Sequence, residues 1–295
     1  MMHGTPPQLL VANSTGQQTM PDGQRLFVRD WPLPHAAAGA VLIVHGLGEH
    51  SGRYARLARW FRQRGYAVRS YDQRGHGRTA GQRGAIRRAD DLVADLGQVY
   101  AAFARLTPAP PLLLGHSMGG VVALRAVLDQ RVAPSALVLS SPALRSWEPP
   151  WVLCSARVLD RVLPRLPLRN HHPKALVSHD PQVRAAYRSD PLRTRWITPR
   201  LANFIFRAGA ACIADAARLA TPTLLLAAGD DMVVDPAGSR QFAARGEAGG
   251  RLTARIFPEL YHEVFNEAEP WRSRVLAELE AWLAASAASR TGYSE

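Results

Sequence analysis

Residues 111–124 read Pro-Leu-Leu-Leu-Gly-His-Ser-Met-Gly-Gly-Val-Val-Ala-Leu, a pattern from which the class of fold can be predicted. The apolar residues up to Leu114 predict a buried strand, and those after the glycines predict a packed helix. Between them, Gly115, Ser117 and Gly119 match the pattern G-x-S-x-G. In this pattern a serine occupies a strained turn from strand to helix, where only small residues two positions away avoid a clash. The stretch therefore predicts a reactive serine at the edge of a sheet.

Short apolar runs alternate with helical patterns on both sides of this stretch. The alternation predicts an α/β fold with a mostly parallel, eight-stranded sheet that is covered by helices on both faces. We expect the first two strands to pair antiparallel through a turn at residues 21–23, and residues 1–20 to form a frayed lead-in. The predicted strands are residues 9–13, 26–29, 41–44, 67–71, 112–114, 136–139, 223–227 and 253–256, and the predicted helices are 54–64, 89–106, 118–130 and 271–288.

The alternation fails once, between residues 143 and 215. No strand-like run occurs there, while prolines and tryptophans accumulate. In open α/β sheets such insertions lie over the carboxyl ends of the strands, where ligands bind. We therefore predict a helical cap at residues 143–215, inserted into a core made of residues 1–142 and 216–295. Within the cap, residues 151–163 have the apolar spacing of an amphipathic helix, which Pro164 should end.

Composition narrows the class of protein. The chain has 295 residues, is 47% hydrophobic and carries a formal net charge of +12. Residues 143–215 contain twelve basic and five acidic residues and so account for +7 of that charge. The basic residues are not interleaved with aromatic residues on any predicted sheet face, which argues against a nucleic-acid partner. No apolar run approaches the roughly 18 residues of a membrane span, and no signal peptide is recognisable, so we expect a cytoplasmic protein.

Cofactor motifs are missing from the sequence. Cys154 and Cys212 are too few for a disulfide framework, and no Cys/His spacing is typical of a zinc site. Residues 72–79 contain two glycines but lack the G-x-x-x-x-G-K-[ST] pattern of a phosphate-binding loop. We interpret them as a structural loop tied by side-chain hydrogen bonds. The sequence predicts no metal and no cofactor, and it does not define an oligomeric state.

A serine hydroxyl becomes a good nucleophile when a base takes its proton, and in this fold the partners follow in the order serine, acid, histidine. Four of the ten histidines follow Ser117. Three of them, His171, His172 and His179, fall in the predicted cap. His262 remains, just beyond the last predicted strand, and is the predicted base.

Three carboxylates compete for the role of the acid. Asp230, Asp231 and Asp235 all follow the predicted strand at residues 223–227. A buried aspartate next to the histidine would fix its tautomer and stabilise the imidazolium. Asp231 is favoured, while Asp235 is the better candidate for the N-cap of a helix that begins at Pro236.

The tetrahedral intermediate needs hydrogen-bond donors for its oxyanion. These are normally the N–H after the nucleophile and a second N–H from the loop that follows an earlier strand. Met118 supplies the first. The strand at residues 41–44 ends in His45-Gly46-Leu47-Gly48, where glycine permits a sharp turn and the N–H of Leu47 is the predicted second donor.

Together these motifs resemble the α/β-hydrolase superfamily and, within it, the monoacylglycerol lipase and lysophospholipase-like branch, described more broadly as serine aminopeptidase-like. The resemblance is carried by residues 45–54, 72–77, 115–120, 231–235 and 261–263. It implies that Ser117, Asp231 and His262 form a catalytic triad. It also implies that the N–H groups of Leu47 and Met118 bind the oxyanion.

From the motifs and the resemblance we predict a serine carboxylic ester hydrolase that acts on single-chain lipid esters. Monoacylglycerol is the first candidate and lysophospholipid the second, because the predicted cap is apolar and the branch favours such esters. The basic amphipathic cap segment is also compatible with peripheral contact with an anionic membrane. One alternative is a peptidase or amidase with the same triad, disfavoured because the cap has few carboxylates to hold a free amine. Another is a non-catalytic basic binding protein.

Overall fold

The computed structural model describes residues 13–33, 37–170 and 177–291, apart from the side chains of residues 248 and 287–291. In these ranges the strands are β1 (Ser14–Thr19), β2 (Arg25–Trp31), β3 (Gly39–Val44), β4 (Tyr66–Tyr71), β5 (Leu112–His116), β6 (Leu137–Ser140), β7 (Leu168–Arg169), β8 (Trp196–Ile197), β9 (Thr223–Ala228) and β10 (Leu252–Phe257). The α-helices are α1 (Ala55–Arg62), α2 (Asp91–Ala104), α3 (Met118–Leu128), α4 (Pro150–Val162), α5 (Pro181–Ser189), α6 (Pro199–Ala214), α7 (Pro236–Gly246) and α8 (Trp271–Thr291).

Eight of these strands form one sheet, in the order β1-β2-β4-β3-β5-β6-β9-β10. The pairs β1/β2 and β2/β4 are antiparallel, and the remaining pairs are parallel. The central strands are buried on both faces, which is why they appear in the sequence as continuous apolar runs. The predicted α/β-hydrolase sheet, mostly parallel and eight-stranded, is confirmed.

Each face of the sheet has its own apolar layer. Successive residues of a strand point to opposite faces. Leu42 and Val44 accordingly pack with α2 and α3, whereas Val41 and Ile43 pack with α1 and α8. Helices therefore cover both faces, as predicted.

The first strand is not where the sequence predicts it. We expected it at residues 9–13, but β1 occupies Ser14–Thr19, within the segment expected to be frayed. Residues 9–12 lie outside the described residues. The reason for the error is physical: β1 is a polar edge strand that is mostly exposed, and its pairing with β2 depends on backbone hydrogen bonds rather than on apolar side chains. The predicted turn is present, with Gly23 at a φ of 82°.

Residues 143–215, the predicted cap, contain an element that the sequence did not predict. The strands β7 and β8 form a short antiparallel ribbon, here called the β7–β8 ribbon. The N–H of Asn170 extends it by donating to the carbonyl of Arg195 at 2.7 Å. The prediction that residues 143–215 contain no strand was wrong, because two-residue strands show no side-chain periodicity. Helix α4 ends at Val162, two residues before Pro164, as predicted.

The loop after β4 is held by its own side chains. The carboxylate of Asp72 accepts from the N–H groups of Ser51 and Arg78, both at 2.7 Å. The hydroxyl of Thr79 donates to the carbonyl of Asp72 at 2.6 Å. Gly77 has a φ of 50°, and a Cβ there would clash with the Asp72 carboxylate. The interpretation of residues 72–79 as a structural loop is confirmed.

None of the helices in the described ranges combines the length and the apolar character that a bilayer span requires.

Candidate active site

Ser117 occupies a strained turn between β5 and α3. Its φ is 53° and its ψ is −121°, a backbone conformation that residues other than glycine rarely adopt. A Cβ at Gly115 would clash with the carbonyl of Gly119, and one at Gly119 would clash with the carbonyl of Val44. The two glycines of the motif are therefore required by backbone packing around the serine.

His262 and Asp231 form a buried hydrogen-bonded pair. His262 lies on the loop after β10, and its Nδ1 is 2.7 Å from Oδ2 of Asp231, in the loop after β9. The other oxygen of Asp231 accepts from the N–H groups of Val233 and Val234, at 2.8 and 3.0 Å. Because an ionised carboxylate only accepts, Nδ1 is the donor and Nε2 of His262 is left to accept a proton. The pair is thus oriented for a histidine that acts as a base.

The three candidate carboxylates have different surroundings. Asp231 is buried and contacts His262, whereas Asp230 is exposed. Asp235 caps α7 by accepting from the N–H of Ala237 at 2.9 Å, as expected for it.

The structure brings the end of β5, which leads into Ser117, up to this pair. The ring of His116, the residue before Ser117, lies 4.7 Å from the ring of His262, measured between centroids. Among the described residues no hydrogen bond joins the Ser117 hydroxyl to His262. Without substrate, catalytic hydrogen bonds are often long and tighten only in the bound complex.

The loop after β3 forms a tight turn against the serine. The N–H of Glu49 donates to the carbonyl of Gly46 at 3.3 Å, and Gly48 has a φ of 77°. These are the features of a type II turn, in which the N–H of Leu47 donates no hydrogen bond within the turn. A Cβ on Gly46 would lie 3.1 Å from Cβ of Ser117. The turn therefore contacts the serine directly. Because it contains the predicted oxyanion donor Leu47, we call residues 46–49 the oxyanion turn.

Met118 is the first residue of α3. The N–H groups of a first helical turn have no partner inside the helix, and the helix dipole adds positive potential there. The N–H groups of Met118 and Leu47 thus flank Ser117 from two elements.

A buried network of charges links the oxyanion turn to the loop that carries His262. Arg53 donates through Nη2 to both carboxylate oxygens of Glu263, each at 2.7 Å, and through Nε to Glu49 at 3.2 Å. Glu49 also accepts from the N–H of Gly46 at 3.0 Å and from the hydroxyl of Tyr54 at 2.7 Å. The sequence alone predicts no role for these groups. The available signal was that Glu49 and Arg53 are four residues apart and that Glu263 directly follows the predicted base.

This network and Asp231 set the protonation of the histidines. Burial lowers the pKa of His262, but the charge of Asp231 and the hydrogen bond to it raise it, with further contributions from Glu263 and Glu49. The net result is a pKa above its ordinary value. Burial, and then the neighbouring His262, lower the pKa of His116 to about 4. His116 is therefore neutral where His262 titrates.

The raised pKa of His262 predicts the acid side of the pH–rate profile. The base works only when unprotonated, so kcat/KM should fall as the pH drops through a value above the ordinary histidine pKa of about 6.5. Replacing Glu263 by glutamine removes one carboxylate that raises this pKa, so the acid limb should move to lower pH.

The profile should be measured for wild type, Glu263→Gln and the control Glu259→Gln, which removes a half-buried carboxylate outside the network. Thermal unfolding should be followed in parallel, because breaking a buried ion pair costs about 3 kcal/mol. An acid limb that stays in place in Glu263→Gln would contradict the assignment of His262 as the titrating base.

Trp147 and His179 each contact a residue in or next to the pair of His262 and Asp231. The indole of Trp147, in the cap region, donates to the carbonyl of Asp231 at 3.1 Å, a contact that the sequence did not predict. His179 instead stacks on Tyr261 at 3.7 Å between ring centroids and contacts Glu267, so its role is structural. His171 and His172 lie outside the described residues.

Known proteins are similar to this chain in sequence and in fold. A family model described as serine aminopeptidase, S33, matches residues 35–269. A monoacylglycerol lipase of Mycolicibacterium smegmatis is 34% identical over 265 residues, which cover 88% of this chain and 93% of that protein. A monoglyceride lipase of Homo sapiens is 30% identical over 274 residues, which cover 89% of this chain and 88% of that protein.

Solved structures agree with the family match. The crystal structure of Paleococcus ferrophilus monoacylglycerol lipase has a TM-score of 0.79 and 30% identity, and the match covers 88% of this chain and 98% of that chain. The chain is therefore a hydrolase with the α/β-hydrolase fold, and it belongs to the serine aminopeptidase (S33) family, in its monoacylglycerol lipase-like branch.

Proposed function

We propose that this hydrolase cleaves single-chain lipid esters, monoacylglycerols first and lysophospholipids second, through an acyl-enzyme formed on Ser117. The observation that carries the proposal is the buried pair of His262 and Asp231, 2.7 Å apart, beside a serine held in a strained turn. Supporting evidence comes from relatives named monoacylglycerol lipase, which match nearly the whole chain.

The mechanism follows from the positions of these groups. Oγ of Ser117 attacks the ester carbonyl while Nε2 of His262 takes its proton, and Asp231 stabilises the imidazolium. The oxyanion accepts hydrogen bonds from the N–H groups of Leu47 and Met118. The intermediate collapses, the C–O bond breaks, and the glycerol oxygen takes the proton from His262. A water molecule then repeats the sequence on the acyl-enzyme and releases the fatty acid.

The cap favours esters over peptides. A site for a free peptide amine would need an unengaged carboxylate near the substrate. Four of the five carboxylates in residues 143–215 are already used: Asp160 pairs with Arg200, Asp180 caps α5, Asp190 binds His50 and Asp215 pairs with Arg125. The structure therefore offers little support for the amidase alternative, although the family model carries the description serine aminopeptidase.

The test is a substrate scan with purified protein. We expect turnover of p-nitrophenyl esters of graded chain length and of 1-monoacylglycerols, and none of amino-acid p-nitroanilides. Turnover of anilides at rates comparable to the esters, or no turnover of any ester, would contradict the proposal. Incubation with a total lipid extract, followed by mass spectrometry of the released fatty acids and head groups, would identify the ester without presupposing it.

We further propose that residues 143–215 form a cap over a core of residues 1–142 and 216–295, and that the cap contacts membranes. Eight of the ten exposed large hydrophobic side chains among the described residues lie in this segment: Trp147, Trp151, Val158, Val162, Leu163, Leu166, Leu168 and Trp196. Exposed apolar patches of this kind, next to exposed arginines, are typical of proteins that rest on anionic lipid surfaces. The cytoplasmic location stays a prediction.

The membrane contact predicts a variant with a substrate-dependent defect. Val162 is 64% exposed on α4, and burying such a side chain in lipid contributes about 1.5 kcal/mol, so Val162→Asp should lower the rate on vesicle-borne monoacylglycerol by roughly tenfold. The control is Leu106→Asp, at a leucine that is 71% exposed outside the cap. Rates on vesicles and on a soluble short-chain ester should be compared for both variants. Equal losses in the two variants would contradict the proposal.

A further inference from the structure

A groove lined by arginines opens beside the oxyanion turn. Its volume is about 590 Å³, and no residue that lines it among those described is acidic. The N–H of Thr194, in its wall, donates to the carbonyl of Gly48 at 3.2 Å, so the groove adjoins the active-site turn. Its polar and aromatic walls are formed by Arg83, Arg169, Arg193, Thr194, Arg195 and Trp196. We call it the arginine groove.

The two inner arginines are held by carbonyl groups and an aromatic ring, not by carboxylates. Arg83 donates to the carbonyl oxygens of Thr79 and Gly77, both at 3.1 Å. Arg193 donates to the carbonyl of Tyr187 at 2.6 Å, and its guanidinium carbon lies 3.2 Å from the centre of the Tyr187 ring. Nε of Arg193 is buried without a partner among the described residues. These contacts orient the guanidinium groups but leave their charge in place.

The two outer arginines extend from the β7–β8 ribbon. Arg169 and Arg195 are exposed, and neither side chain forms an ion pair with any described residue. Burial lowers the pKa of Arg83, and the charge of Asp72 attracts this guanidinium and partly offsets the lowering. Four arginines therefore line one concave surface, and none of the four forms an ion pair with a described residue. Such a surface attracts anions, and the planar forks of arginine match the oxygens of a phosphate group.

Apolar side chains beside the groove favour a lipid phosphate over a soluble one. Trp196, in the groove wall, is 44% exposed, and Leu168 on the facing strand is 38% exposed. Leu163 and Leu166, just before the ribbon, are exposed as well. A soluble phosphate would gain nothing from these residues, whereas tryptophan and leucine beside arginine suit the boundary between head groups and acyl chains.

We propose that the arginine groove binds the phosphate of an anionic membrane phospholipid while the adjacent apolar side chains contact its acyl region. The proposal rests on the proposed membrane contact of the cap. Because the groove adjoins the oxyanion turn, a phospholipid bound there holds the active site at the membrane surface.

The test measures binding without turnover, in the full chain carrying Ser117→Ala. Binding to phosphatidylcholine vesicles and to vesicles that also contain phosphatidic acid should be compared by co-sedimentation. The groove variant is Arg169→Gln with Arg195→Gln. The control is Arg105→Gln with Arg131→Gln, which removes the same charge from exposed positions outside the groove. Circular dichroism and thermal unfolding check that both variants fold.

We expect the groove variant to bind the anionic vesicles roughly tenfold more weakly than the parent, and the control to differ by less than about twofold. Equal losses in groove variant and control would show a net-charge effect and overturn the proposal. A third arm titrates glycerol 3-phosphate by calorimetry. If the groove variant loses glycerol 3-phosphate binding but keeps vesicle binding, the ligand is a soluble phosphate and the lipid assignment is wrong. Ester hydrolysis is measured separately, so either proposal can fail while the other stands.

Discussion

Replacing Ser117 by alanine is expected to lower kcat for ester hydrolysis by a factor of roughly 10⁴ to 10⁶. The expected loss is this large because the proposed triad would work as a unit. Without the hydroxyl, no acyl-enzyme can form, and the pair of His262 and Asp231 has no proton to take from the serine. The residual rate should come from the oxyanion donors alone, since they still stabilise a tetrahedral intermediate formed by water.

The measurement is kcat on a p-nitrophenyl ester and on a monoacylglycerol, with Ser189→Ala as the control. Ser189 is an exposed serine at the end of α5, where, within the part of the chain that the structure describes, its hydroxyl bonds only to carbonyl groups of its own helix. Because alanine at position 117 keeps the strained turn but removes only one oxygen, the variant should fold. Substantial esterase activity in purified Ser117→Ala would rule out the proposed nucleophile.

Replacing Asp231 by asparagine is expected to lower kcat by about 10⁴. The carboxylate accepts from Nδ1 of His262, whereas an asparagine amide placed there can donate to Nδ1. Donation would favour the tautomer in which Nε2 carries the proton, and His262 could then no longer accept one from Ser117. Asparagine is close in size to aspartate and keeps one acceptor for the N–H groups of Val233 and Val234.

The matched control is Asp230→Asn, which changes the neighbouring, exposed carboxylate and leaves the pair intact. It should retain kcat within about twofold, as surface substitutions usually do. If instead Asp230→Asn loses activity and Asp231→Asn keeps it, the acid has been assigned to the wrong residue. Equal stability of the two variants, measured by thermal unfolding, ensures that the comparison concerns chemistry.

The core of the fold could be predicted from the sequence because its physical causes are local. The strands β3, β5 and β9 are buried on both faces, so each appears as an apolar run. The turn at Ser117 needs glycines on both sides, and these form a short pattern that can be recognised without any knowledge of tertiary contacts. The order of serine, acid and histidine then reduces the candidates to a few.

Other features depend on contacts between distant parts of the chain. The polar strand β1 is defined by its pairing with β2, and the β7–β8 ribbon is too short to have a period. The link from Glu49 through Arg53 to Glu263 spans 210 residues between its last two members. The arginine groove likewise combines Arg83 with residues more than 80 positions away. Sequence spacing does not reveal such neighbours.

Covalent labelling shows whether Ser117 is a nucleophile activated by its surroundings. A fluorophosphonate phosphonylates an activated serine oxygen and releases fluoride, and peptide mapping by mass spectrometry locates the adduct. We expect a single adduct on the peptide that contains Ser117, no adduct after thermal unfolding, and much slower labelling in His262→Ala. An adduct on another serine, such as Ser140 or Ser141, or no adduct on the folded protein, would contradict this expectation.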